Sequence, residues 1–301
     1  MEKLQLALEK ARAAREGAAK ADGTAKSDAA PAPAAPPERK AAEAATRAPA
    51  RARATSTRRD TPPDAVWADL TPFSPDPKAL VRNRIVALEA GAAATPFDIL
   101  RTKIVLQMRR NGWRRLAITS PLPACGKTTT ALNLATGLSR QPDLTAMLLE
   151  IDLRRPNMAA MLGHRPEHDI TAMLSGEVPF ADQAVRLRGN VAVSMARRHS
   201  NDPSRYMLSH DTITTLDTLE RDYAPDLMIF DLPPLLISDD TRAFLGNVDC
   251  ALMVARAGKS SIAQIDTCER EIAEHTNMLG VVLNQVKHAD ESAGYDYDYK
   301  S

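Results

Sequence analysis

The chain has 301 residues with 39 Lys+Arg against 38 Asp+Glu, room for one large domain or two ordinary ones. Its charge is uneven: residues 1–60 hold 21 alanines, 5 prolines and 13 Lys+Arg against 8 Asp+Glu, leaving 26 against 30 for residues 61–301. A near-neutral total argues against a nucleic-acid binder, three scattered cysteines (Cys125, Cys250, Cys268) exclude a disulfide framework and disfavour a zinc site, and no apolar run reaches the ~18–20 residues of a membrane span.

The N-terminus mixes acids into Met1-Glu2-Lys3-Leu4, unlike a secretory leader. The expectation is therefore a soluble, cytoplasmic protein whose membrane role, if any, comes through a partner. Leu4, Leu8, Ala11 and Arg15 fall at helical spacing, so residues 1–17 are read as an amphipathic helix. Residues 18–84, rich in Ala, Pro and Arg with no aromatic before Trp67, are read as a disordered arm and linker.

From Ile85 the pattern changes. Phe97, Leu100, Ile104 and Met108 predict a helix over Ala94–Arg110. Apolar strands are predicted at Leu116–Thr119, Ala146–Ile151, Leu227–Phe230, Ala251–Ala255 and Val281–Leu283, with helices at Gly126–Leu138 and Ser261–Asn277. Continuous apolar strands alternating with helices indicate an α/β fold, a mainly parallel sheet with helices on both faces over residues 85–287. Functional groups are expected at the carboxyl ends of its strands.

Three strand ends carry the chemistry. The first runs Thr119-Ser120-Pro121-Leu122-Pro123-Ala124-Cys125-Gly126-Lys127-Thr128-Thr129. A loop entering a helix at Gly-Lys-Thr offers backbone N–H groups to phosphate, with Lys127 as a mobile cation and Thr128 as an Mg²⁺ ligand. Pro121 stands where the strict P-loop pattern has its first glycine. The second, Leu149-Glu150-Ile151-Asp152-Leu153-Arg154-Arg155-Pro156, is read with period two, placing Glu150 and Asp152 on one side as metal ligand and proton acceptor. The third, Leu227–Phe230 closed by Asp231, supplies a carboxylate that holds a metal through water.

In this order the segments resemble the bacterial tyrosine kinases of exopolysaccharide and capsule synthesis, built on a P-loop ATPase fold. The resemblance covers about Pro96–Ser301. The family's T-S-x-x-P-G-E-G-K-S-T-T is matched by Thr119–Thr130, its I-D-x-D-x-R-R-P by Leu149–Pro156 with Glu150 for the first Asp, and its D-x-P-P with a further Asp by Asp231, Pro233, Pro234 and Asp239. Partitioning ATPases usually carry a second lysine where Leu122 stands. The resemblance implies ATP over Ser120, Pro123, Ala124, Cys125, Gly126, Lys127, Thr128 and Thr129, with Asn284 at the adenine. It also implies Mg²⁺ on Thr128, Asp152 and Asp231, and Glu150 as acceptor of the tyrosine proton. The phospho-acceptors would be Tyr295, Tyr297 and Tyr299 in a flexible tail, residues 288–301.

It further implies a homo-oligomer recruited to the inner face of the plasma membrane by a membrane-embedded polysaccharide chain-length regulator, without nucleic acid. Of the family's ring-forming E-x-x-R-x-x-R, aligned here with Thr95, Asp98 and Arg101, only Arg101 is kept. Cys125 replaces a glutamate and is a candidate for redox blockade of nucleotide binding. Two other readings stay open: a partitioning-type ATPase, and a weakly catalytic nucleotide-binding regulator of polysaccharide export.

Overall fold

The computed structural model describes residues 63–287. The predicted helix over 1–17, most of the arm and the tyrosine tail lie outside the described residues. In chain order the elements are α1 (Pro63–Ala68), β1 (Thr71–Pro72), α2 (Pro77–Arg82), α3 (Thr95–Asn111), β2 (Arg115–Thr119), α4 (Lys127–Leu138), β3 (Ala146–Glu150), α5 (Met158–Leu162), α6 (Ile170–Leu174), α7 (Phe180–Gln183), β4 (Val185–Leu187), β5 (Val191–Ser194), α8 (Ser204–Met207), α9 (His210–Tyr223), β6 (Leu227–Asp231), α10 (Asp239–Leu245), β7 (Cys250–Arg256), α11 (Ile262–His275) and β8 (Asn277–Asn284).

The strands form one eight-stranded sheet in the order β1-β4-β5-β3-β6-β2-β7-β8. All pairs are parallel except β4 with β5. Side-chain alternation divides the core in two. Met147, Leu149, Met228 and Phe230 enter one buried cluster, while Leu148, Leu116, Ile118 and Ile229 enter the other. This is why the central strands are apolar through their middles, with polar residues at their ends: both faces are covered.

Local signals fix the helix ends. Gly112 closes α3 in the left-handed conformation at φ +65°, and its N–H bonds Arg109 O and Met108 O. Ser261 and Gln264 form a reciprocal capping box at the start of α11.

The linker assignment is corrected for residues 63–84. Trp67 is buried, donates from Nε1 to Tyr223 O at 2.9 Å and meets the Tyr223 ring edge-on at 5.9 Å. Leu70 is fully buried, and Thr71–Pro72 pairs with Val185–Arg186. Two anchors, Trp67 and Leu70, were enough to order a stretch whose Pro-rich composition suggested otherwise. The short strands β4 and β5 were also absent from the sequence reading, since three- and four-residue strands leave little periodicity.

Candidate active site

Strand β2 delivers the chain into the loop 120–126 and then into α4. Ser120, buried, turns its hydroxyl onto Leu122 O at 2.8 Å, and Thr119 Oγ1 donates to Pro233 O at 2.8 Å. Pro123 and Ala124 form the exposed crest, with Ala124 at φ +60°. Gly126 enters α4 at φ +93°, and a Cβ there would lie 2.2 Å from Asn284 Nδ2. Glycine is therefore required both by the backbone angle and by the close approach of Asn284. Asn284 donates from Nδ2 to Cys125 O at 2.9 Å, and Gln285 Nε2 donates to Ala124 O at 3.3 Å, so the end of β8 braces the loop from outside. Thr129 accepts Asn133 Nδ2 on its carbonyl at 2.8 Å.

Behind the loop, Lys127 Nζ lies 2.6 Å from Asp152 Oδ2 and 3.8 Å from Asp231 Oδ1. Thr128 Oγ1 donates to Asp231 Oδ2 at 2.7 Å. Burial by itself lowers the Lys127 pKa, but Asp231 and Asp152 outweigh it and hold the ammonium above its ordinary value. Burial drives Asp231 the other way, up to about 6, against the pull of Lys127 and Thr128. The structure thus brings Lys127, Thr128, Asp152 and Asp231 together from three strand ends.

Asp231 Oδ1 is buried and accepts no hydrogen bond, its one charged neighbour being Lys127 Nζ at 3.8 Å, so this oxygen has capacity left for a cation. Among the described residues no group of three or more His, Cys, Asp or Glu side chains could hold a metal unaided. A divalent ion here must complete its shell with phosphate oxygens and water, which suits Mg²⁺. Thr128, Asp152 and Asp231 fit such an ion.

Glu150 is placed differently from its reading. β3 ends at Glu150, and Ile151 N and Asp152 N both donate to the single carbonyl of Asp231, at 2.9 and 3.0 Å. The chain leaves the strand there, so period two does not carry through to Asp152. Glu150 Oε1 accepts from Asn157 N at 2.6 Å and Met158 N at 2.8 Å, and Oε2 accepts from Ala196 N at 2.9 Å. The side chain is 1% exposed. Burial pushes its carboxyl up to about 7, opposed by the three N–H bonds. The extra methylene over aspartate carries the carboxylate into this amide cradle, where it ties the loops after β3 and β5. That occupation does not suit the proton-acceptor role the resemblance implied, and Asp152 is the carboxylate left at the loop.

A second reassignment concerns the acid after Pro233-Pro234. Asp239 has an exposed side chain paired with Arg242 at 3.2 Å. Its neighbour Asp240 is fully buried and accepts Arg154 Nε at 2.5 Å, Arg154 Nη2 at 3.1 Å, Ser204 Oγ at 3.0 Å and Ser238 Oγ at 2.6 Å. Arg154 and Asp240 thereby tie the loop bearing Asp152 to the loop after Asp231. Asp240 was missed because adjacent aspartates are equivalent in sequence until Ser238 caps α10 through Asp240 N.

Two further residues have defined surroundings. Cys125 is 2% exposed, with Sγ 3.7 Å from Ser260 Oγ, so it packs as a small buried residue and not as an accessible thiol. Arg101 donates from Nη1 to Asp98 Oδ1 at 2.7 Å and Gly137 O at 3.0 Å. Asp98 is also paired with Arg140. These charges pin α3 onto α4 within one subunit.

With fold and geometry in place, the likeness to known proteins is specific. The chain has the P-loop ATPase fold and resembles the bacterial tyrosine-protein kinases. No protein-family model matches it. It is 28% identical over 206 residues to tyrosine-protein kinase YwqD of Bacillus subtilis, covering 67% of this chain and 84% of that one. The succinoglycan biosynthesis transport protein ExoP of Rhizobium meliloti is 28% identical over 189 residues, 62% of this chain and 24% of that protein. The chain spans little more than a quarter of the length of the first curated relatives it matches. Among solved structures, the kinase domain of Escherichia coli tyrosine kinase Etk superposes with a TM-score of 0.60 at 25% identity, covering 75% of this chain and 86% of that one. Among the described residues no helix is long and apolar enough to cross a membrane.

Proposed function

We propose that this protein is an ATP- and Mg²⁺-dependent protein-tyrosine autokinase whose acceptors are Tyr295, Tyr297 and Tyr299. In this reading it controls exopolysaccharide or capsule polymerisation and export. The observation that carries the reading is the convergence of Lys127, Thr128, Asp152 and Asp231 at one loop, in a chain that ends with three tyrosines in five residues. Similarity to YwqD and to the Etk kinase domain supports tyrosine as acceptor, and similarity to ExoP supports the polysaccharide role.

Backbone N–H groups of the loop up to Gly126 and the start of α4 hold phosphate oxygens, and Lys127 supplies charge at the transferred group. Thr128, Asp152 and Asp231 would hold Mg²⁺ directly or through water, and the ion would supply positive charge against the phosphates. Ser120, Pro123, Cys125 and Thr129 shape the loop, and Asn284 stands beside it as the adenine contact. Asp152 accepts the tyrosine proton or orients the hydroxyl. Because positioning and electrostatics dominate this chemistry, the base contributes modestly, about 10²–10⁴-fold.

Assembly with further copies and recruitment to the inner membrane face by a membrane-embedded chain-length regulator complete the reading. Mass spectrometry of residues 288–301 after incubation with MgATP and the partner's cytoplasmic segment tests it. Phosphate on the tyrosines supports an autokinase. An unmodified tail with steady phosphate release assigns an ATPase instead.

A further inference from the structure

The loops next to the site carry a concentration of arginine. Arg155 follows Asp152 by three residues and donates from its backbone N to Asp152 Oδ1 at 3.2 Å. Arg197, Arg198 and Arg205 lie on the connection after β5, which bonds the β3 loop through Ser200 N to Leu153 O at 2.8 Å. All four side chains are exposed. Arg155, Arg197 and Arg198 enter no ion pair among the described residues; Arg197 Nη1 donates to Glu167 O at 2.8 Å, and Arg205 lies over the Tyr206 ring.

The acids packed around them offset this charge only in part. Asp240 is spent on Arg154, and Asp169 accepts from Arg197 N, Arg198 N, Thr171 N and Thr171 Oγ1. Glu167 and Asp202 remain exposed. Four exposed arginines against Asp169, Glu167 and Asp202 leave a net positive rim on a domain that is otherwise near neutral, residues 61–287 holding 25 Lys+Arg against 26 Asp+Glu.

We infer that this rim docks the chain's own C-terminal segment, residues 288–301, and so selects tyrosines flanked by acids. The segment carries Asp290, Glu291, Asp296 and Asp298 against Lys300 alone, and Asp296 and Asp298 separate the three tyrosines. A carboxylate one residue from each tyrosine places charge against the rim while the phenol lies at Asp152. β8 and β3 are four strands apart, about 19 Å, and the eleven residues from Asn284 to Tyr295 span up to ~36–40 Å. The tail therefore reaches the rim from its own copy or from a second one. This inference rests on the autokinase reading for its consequence, though not for its binding test.

The receiver is the full chain with Asp290→Asn, Glu291→Gln, Asp296→Asn, Asp298→Asn and the three tyrosines changed to Phe, so its own tail does not compete. A fluorescent synthetic peptide of residues 288–301 is titrated by anisotropy without ATP, at low and high salt. Arg197→Glu/Arg198→Glu is expected to weaken binding about tenfold at low salt and to flatten the salt dependence, with ADP affinity unchanged. A peptide with lysine at the four acidic positions is expected to recover binding to the Glu variant. With MgATP, the same variant raises KM for the peptide and leaves kcat. Equal binding by wild type and variant, or of the Asn/Gln peptide, overturns the inference even if the tail is phosphorylated. Salt-sensitive docking without phosphate transfer sustains it and overturns the autokinase reading.

Discussion

Lys127 Nζ lies between two carboxylates, 2.6 Å from Asp152 Oδ2 and 3.8 Å from Asp231 Oδ1. The ammonium thus balances two acids that must otherwise share the site with no cation. Removing it leaves buried charge unpaired, which costs about 3–5 kcal/mol. Lys127→Met is therefore expected to lower Tm without nucleotide, to regain part of it with Mg²⁺, and to lose transfer. Thermal melts with and without Mg²⁺ check this, and a melt unmoved by the ion contradicts it.

The pH dependence follows from Asp231 and Glu150. Both carboxyls are raised in the folded protein, from ordinary values of 3.8 and 4.5 to about 6 and about 7. A raised acid favours the protonated native state, so its stabilisation is complete below the ordinary value and is lost as pH rises through the folded value. Asp231→Asn should flatten the fall in stability between about pH 4 and pH 6. In the wild type the half-saturating Mg²⁺ should rise steeply below about pH 6, as protons compete for Asp231. Urea melts across pH and Mg²⁺ titrations measure the two effects.

Glu150 and Asp152 should separate stability from chemistry. Glu150→Ala strands three backbone N–H groups in a buried cradle, at about 1–3 kcal/mol each before relaxation. Its Tm should fall markedly. Asp152→Asn leaves Lys127 its second partner Asp231, so it should lower the melt less than Glu150→Ala while removing transfer about 10²-fold or more. Equal loss of rate in both variants with unchanged melts would return the base role to Glu150.

Gly126→Ala meets Asn284 Nδ2 at 2.2 Å and a φ of +93°. It should abolish nucleotide binding, and Asn284→Ala should not restore it, because the backbone strain persists when the space is opened. Calorimetry with ADP reads both variants.

Arg154 and Asp240 should behave as a unit. Arg154→Met leaves Asp240 buried without its cation, whereas Asp240→Asn in that background relieves it. A coupling of about 1–3 kcal/mol in a double-mutant cycle is expected, and additive losses would show that the two loops are held by other contacts.

Much of this was legible in sequence because its signals are local. Gly126-Lys127-Thr128 at a helix start, and apolar strands closing on Glu150 and Asp231, depend only on neighbours in the chain. The strand β8, expected over Val281–Leu283, runs from Asn277 to Asn284, since Gly280 interrupts the apolar run and only pairing with β7 carries the strand through it. Glu150 was misplaced because its three partners, Asn157, Met158 and Ala196, belong to two loops that only the fold brings together. The burial of Trp67 has no local signal for the same reason: its partner Tyr223 is 156 residues away.

The central claim is transfer of phosphate to the tail, and intact-mass and peptide mass spectrometry after incubation with MgATP and the membrane partner's cytoplasmic segment test it most directly. The account predicts phosphate on Tyr295, Tyr297 or Tyr299 in the wild type and none in Lys127→Met. An unmodified tail in a wild-type protein that binds and turns over ATP would contradict it.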